Sequence, residues 1–253
     1  MYRIIGVFQD DDEENHVKLI KYTQLPSEYA WNSSAADVNW SSSELYNGIN
    51  GSYFLTNATY GYMQNIVWKS IIQDWTWKAM NTLSWNAPGV NYGTHYYYSI
   101  PKAIYQNEIL KAASSNIKCS NSSNTQSTST CAIGEWTTPT AKIGLMYASD
   151  YALSLGTTAL AMTTGTYTNR ATLKTSWLHQ SNNNVTTSEY EWTMARFGAY
   201  VSDYAAWFIH AEGNINATTL TDTVAVRPVF YLTADIILSG GEGTLDSPYI
   251  LDI

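Results

Sequence analysis

The chain has 253 residues, of which 45% are apolar and 13% charged, and its formal net charge is −8. That length suits one large domain or two small ones, with enough apolar residues for a sizeable core. The acidic balance argues against nucleic acid, whose phosphates demand clustered Lys and Arg. No apolar run is long enough to read as a membrane span.

The charged share is about half the usual one, and Asn, Ser, Thr and Tyr take its place. The chain carries ten Trp and twenty Tyr. Neutral, aromatic surfaces suit outer-surface binding proteins, because Tyr and Trp offer rigid contact area; an AT-rich genome would also favour Asn and Tyr. No basic-then-apolar signal opens the chain, so export would need a leader removed beforehand.

Residues 2–8 and 17–22 are apolar runs that read as a hairpin. Its tip holds Asp10, Asp11, Asp12, Glu13 and Glu14 in a row. Carboxylates are the ligands calcium takes. The spacing fits no calcium loop, however, and a repelling charge run reads as a solvated turn. Neither metal nor cofactor is expected.

Ser41 to Glu44 offer N-caps for a short helix at 45–49. A second helix is predicted over 62–80, from Ile66, Val67, Ile71, Ile72 and Trp75 near helical spacing. Trp68, Trp75 and Trp77 within it read as a core stripe. Residues 86–89 form a turn, followed by Tyr96, Tyr97 and Tyr98 in a run whose alternation as a strand would expose at least one ring. Residues 102–113 read as a short helix.

Residues 114–130 are a low-complexity Ser/Thr/Asn stretch that cannot bury enough apolar surface to order itself. Cys119 and Cys131 bracket most of it and are the only cysteines. Their obvious reading is a disulfide stapling a surface loop, contributing about 3 kcal/mol in the loop-entropy picture and pointing to an oxidising compartment. Two buried free thiols are the alternative.

Residues 143–148 read as a buried strand, with Asp150 as a structural helix N-cap just after it. Short strands follow at 177–178, 191–194 and 206–211, and Glu212-Gly213-Asn214 makes a tight turn. Residues 224–232 form the closing strand, apolar except for Arg227, and Pro228 marks an edge, a bulge or a break. A further strand at 236–238 leads into a glycine-rich turn. A guanidinium in such a strand must be paired inside the domain, and Asp150 is the first candidate partner. The order predicts an α+β fold, helices segregated from strands, in one domain over 1–253.

The motifs Tyr2–Phe8, Lys18–Lys21, Ile143–Tyr151, Trp177-Leu178, Trp192–Met194, Val226–Leu232 and Gly241–Leu251, in that order, resemble a family of bacterial surface domains with a C-type-lectin-like fold. That family is found in Firmicutes and related gut bacteria, often behind a pilin-like N-terminal helix. The resemblance spans almost the whole chain. It implies a lectin-like fold and a cell-surface setting without naming a ligand. The longer acidic tip, the Cys-bracketed insertion and the missing pilin-like helix depart from the family pattern.

No G-x-S-x-G, H-E-x-x-H or C-x-x-C motif occurs. His16, His95, His179 and His210 stand in unrelated contexts, and His210 reads as a core residue. Glu108, Glu135, Glu189 and Glu191 show no spacing that pairs them for glycoside hydrolysis. The expectation is therefore a non-catalytic, extracellular cell-surface domain, an adhesin or pilus-associated module. It would bind a glycan or protein through the rings of Trp85, Tyr96, Tyr97 and Tyr98, unless those rings pack the core. The alternative is a structural subunit whose copies polymerise into a surface filament.

Overall fold

The computed structural model describes residues 1–10, 12–34, 39–57, 70–77, 79–80, 118–120, 126–130, 136–137, 139–147, 150–151, 154, 174–179, 190–197, 205–213 and 215–252. The first half carries β1 (Tyr2–Gln9), β2 (Asn15–Lys21), β3 (Tyr29–Ala30), a 3-10 turn at Trp40–Ser42, α1 (Glu44–Ile49), β4 (Trp75–Thr76), β5 (Ala79–Met80) and β6 (Lys118–Ser120). The second half carries β7 (Gln126–Thr130), β8 (Trp136–Thr137), β9 (Thr140–Ala141), β10 (Glu191–Phe197), β11 (Ala205–Ile209) and β12 (Ile215–Thr219). Last come β13 (Thr223–Val224), β14 (Val229–Tyr231), β15 (Ile237–Gly240) and β16 (Ile250–Asp252).

These strands form small antiparallel sheets. Two have three strands, in the orders β1-β2-β14 and β10-β11-β12, and the rest are two-stranded ribbons. No described helix reaches seven residues. This overturns the expected α+β, C-type-lectin-like architecture with two or three segregated helices. One reason lies at the end of the stretch read as a helix over 62–80, where only Ser70 and Ile71 of the described residues are helical. Trp75 pairs with Ala141 in β4–β9, and the backbone N–H of Trp77 donates to Pro139 O at 2.9 Å. The two indoles are two residues apart, which is the spacing of one face of extended chain. Both lie against Tyr231, at 3.7 and 5.3 Å between ring centroids. Apolar residues at mixed spacing satisfy either period, and cross-strand partners decide.

The first hairpin runs from Tyr2↔Lys21 to Gln9↔Asn15, with a register shift between Ile4 and Gly6. α1 starts where its cap predicts: Ser43 Oγ accepts from the N–H of Tyr46 at 3.0 Å. The β11–β12 hairpin turns through Gly213 at φ 85°. Of the segment read as a strand over 143–148, the described residues 143–147 hold a single bridge instead. Gly144 and Val229 exchange both backbone hydrogen bonds, at 2.8 and 2.9 Å. Trp177 and Leu178 lie in a turn and not in a strand.

The closing segment is broken at Pro228, into β13 and β14, yet it remains the axis of the core. Ala225 O accepts from Trp192 N at 3.0 Å, Val226 O from Leu25 N at 2.9 Å and Pro228 O from Lys21 N at 2.9 Å. β14 then pairs with Ile20, Leu19 and Lys18 of β2. Its backbone thus bonds first to β10, then to the chain after β2, then to β2 itself. Every residue from Val224 to Leu232 is buried, and one apolar cluster runs from Phe8 to Leu232 through them.

Candidate functional site

Two ion pairs lie inside this core. β10 begins at Glu191, which bridges to Ala225 in parallel. Arg227, two residues on, therefore presents its side chain to the same neighbour. Arg227 Nε donates to Glu191 Oε1 at 2.9 Å and Oε2 at 2.8 Å, and its Nη2 donates to Leu178 O. Both side chains are fully buried. Nη1 is buried with no hydrogen-bond partner among the described residues. Burial pushes the Glu191 carboxyl up to about 7, against the downward pull of the Arg227 charge. The carboxylate facing Arg227 is thus Glu191 and not Asp150. Glu191 stood in the sequence as one unpaired acid among four.

Asp150 belongs to the second pair. Its Oδ2 accepts from Lys18 Nζ at 2.9 Å and reaches back to the N–H of Tyr147 at 2.8 Å. That is the backward reach of a capping-box acid, rather than the forward bond of an N-cap. The Lys18 ammonium also lies 4.6 Å from the ring centre of Tyr147, 5.0 Å from Phe8 and 5.4 Å from Tyr231. An ammonium among ring faces is held by their quadrupoles as well as by its carboxylate. Lys18 is buried because β2 is a central strand, covered on both faces. Sequence reasoning missed it: in a short strand pattern a lysine reads as the exposed position.

At the acidic tip Asp12, Glu13 and Glu14 are exposed, and Asp10 is tied down by hydrogen bonds. Asp10 Oδ1 accepts from the N–H of Asp12 at 2.9 Å and of Glu14 at 3.0 Å. Asp10 Oδ2 lies 3.0 Å from Nε2 of His16, whose Nδ1 donates to Leu232 O at 2.8 Å. His16 is buried edge-on to Trp75. Burial works to raise the Asp10 carboxyl; the N–H of Glu14, the His16 ring and the N–H of Asp12 outweigh it and hold it below its ordinary value. Asp10, Glu14 and His16 offer ligand atoms within 4.8 Å of one another, the described group with the geometry for a metal. A cation there would have to break the contact between His16 and Asp10.

The aromatic candidates Trp85, Tyr96, Tyr97 and Tyr98 lie outside the described residues. So does Cys131, and of Cys119 only the backbone, in β6, is described. Among the described indoles, Trp31, Trp40, Trp75, Trp77, Trp192 and Trp207 are buried and Trp177 is half-buried. Most of the tryptophan therefore builds core. His210 is a half-buried turn residue and not a core one: its Nδ1 accepts from the N–H of Glu212 at 3.2 Å.

The apolar surface that faces solvent is concentrated at the other end of the chain. The β15–β16 hairpin exposes Ile237, Leu238, Leu245, Tyr249 and Ile250, five of the nine exposed large apolar side chains among the described residues. Leu238 faces Leu251 in register, and Ile237 faces Asp252. Ile236 and Leu251 at its root pack on the core. No protein-family model, curated protein or solved structure matches this chain.

Proposed function

We propose that this chain is a non-catalytic binding domain displayed on the outside of a bacterial cell, an adhesin or pilus-associated module with a glycan or protein ligand. The observation that carries this reading is the β15–β16 hairpin, which exposes five large apolar side chains. Exposed large apolar side chains gathered on one ribbon point to an interaction site. Two buried cations are, by contrast, each spent on a buried carboxylate: Arg227 on Glu191, Lys18 on Asp150. The resemblance of the motif order to that of bacterial surface domains, and the neutral aromatic composition, support the extracellular setting.

The test is an array of bacterial and host surface glycans and proteins, probed with the purified chain and watched in parallel by light scattering. The expected result is a saturable hit from a chain that stays monomeric. Growth of long assemblies with concentration, and no hit, would replace this reading by the filament subunit.

A further inference from the structure

We propose that the β15–β16 hairpin is a docking edge for an extended, lysine- or arginine-bearing strand of another protein, a proposal that rests on the binding-domain reading above. Three observations on the ribbon lead there. The first is its open backbone. Each of its strands pairs only with the other, so each leaves one edge of N–H and C=O groups unpaired among the described residues. Such an edge is a template for an added strand, with backbone bonds giving affinity and alternate side chains giving choice.

The second is its rigidity. Thr233 N donates to Ile71 O at 2.9 Å at the root. At the tip Glu242 N donates to Ser247 O at 2.9 Å, and Ser247 N to Thr244 Oγ1 at 3.0 Å. Gly241 and Gly243 adopt φ of 85° and 75°. A Cβ on Gly241 would sit 2.0 Å from Pro248 O, and one on Gly243 2.5 Å from the Tyr249 ring. The loop closes as tightly as glycine permits. A partner therefore meets an edge already shaped, which lowers the ordering cost of binding.

The third is charge, and it selects the partner. Asp235, Glu242, Asp246 and Asp252 are all exposed, and no Lys, Arg or His occurs between Leu232 and the last residue. A second copy docked ribbon to ribbon would set four carboxylates against four with no cation to screen them. Like charges across an edge are costly, and they guard such edges against self-pairing. A strand carrying lysine or arginine between apolar residues answers both the apolar side chains and the carboxylates. The same carboxylates repel anionic lipid surfaces.

The probe is a fluorescent peptide of alternating lysine with valine and threonine, read by anisotropy at low and moderate salt. Its controls are the same peptide with glutamate for lysine, and one with proline at alternate apolar positions, equal in charge but unable to pair as a strand. The protein variant is L238K with I250K, both at exposed positions, so its melting temperature is expected to stay at that of the parent. The expected result is binding at least about tenfold tighter than for either control, weakened by salt, and lost about tenfold in the variant. Equal binding of the glutamate peptide, equal binding of the proline peptide, undiminished binding by the variant, or no binding at millimolar peptide would each overturn the docking edge. An array ligand that the variant still binds would overturn it too, while leaving the binding-domain reading intact.

Discussion

Cutting the buried pair from its two ends has unequal consequences. Glu191→Gln leaves Arg227 charged in the core. A guanidinium does not give up its proton at any accessible pH, and Nη1 already lacks a partner among the described residues. Breaking a buried pair this way costs about 3–5 kcal/mol at pH 8, where Glu191 is ionised, and less at pH 5, where it is protonated. Arg227→Met leaves a carboxyl that can escape by taking a proton. Burial has already brought Glu191 from 4.5 to about 7 with Arg227 beside it. Without the cation that pull is gone, and the value rises further. A folded-state value above the unfolded one means that the associated stability is complete below pH 4.5 and lost as pH rises through the folded value. In the native protein that loss amounts to about 3 kcal/mol between pH 4.5 and 7, at roughly 1.4 kcal/mol per unit. In Arg227→Met the decline continues past pH 7. The variant is therefore expected to lose only about 1–3 kcal/mol at pH 5, for its hydrogen bonds to Glu191 and Leu178, and clearly more at pH 8. Urea denaturation at pH 5 and pH 8, followed by tryptophan fluorescence, measures both. The reasoning fails if Glu191→Gln costs as much at pH 5, where the raised carboxyl is already protonated, as at pH 8, or if the penalty of Arg227→Met is the same at both pH values. Arg227→Lys is expected to destabilise as well, since an ammonium cannot span both Glu191 and Leu178 O.

Gly144→Ala puts a Cβ 2.6 Å from the buried ring of Trp77, at the point where Gly144 and Val229 exchange hydrogen bonds. It should cost about 1–3 kcal/mol in the same denaturation assay, and an unchanged midpoint would refute the tight approach. At the acidic tip, Asp10 is held below its ordinary value, so its contribution is present above about pH 4 and lost as pH falls through the folded value. Asp10→Asn should therefore flatten the acid limb of the stability curve, and an acid limb like the parent's would count against this. Millimolar calcium should leave the melting temperature unchanged, because the Asp10 oxygens already accept from two N–H groups and face His16; a rise of several degrees with calcium but not magnesium would reverse that conclusion. Intact mass with and without reductant should differ by two protons at Cys119 and Cys131, whereas alkylation of both thiols in unreduced, denatured protein would eliminate the disulfide.

Local patterns carried part of this structure. The β1–β2 hairpin, the Ser43 cap, the Gly213 turn and the burial of residues 224–232 all follow from alternation, capping chemistry and turn residues within a few positions of one another. The burial of Arg227 follows from the same local pattern, because a lone charge in an apolar run has nowhere else to go. What local patterns could not supply were partners far apart in the chain. Glu191 meets Arg227 across 36 positions and Lys18 meets Asp150 across 132. Trp75 and Trp77 became extended chain because β9 and Tyr231 were there to receive them, although the apolar spacing around them also fits a helix. Lys18 is buried because Phe8, Tyr147, Tyr231 and Asp150, from distant stretches of chain, enclose its ammonium. Strand pairing and the satisfaction of buried charge are long-range, and a sequence records the groups that need partners without recording which distant groups will meet them.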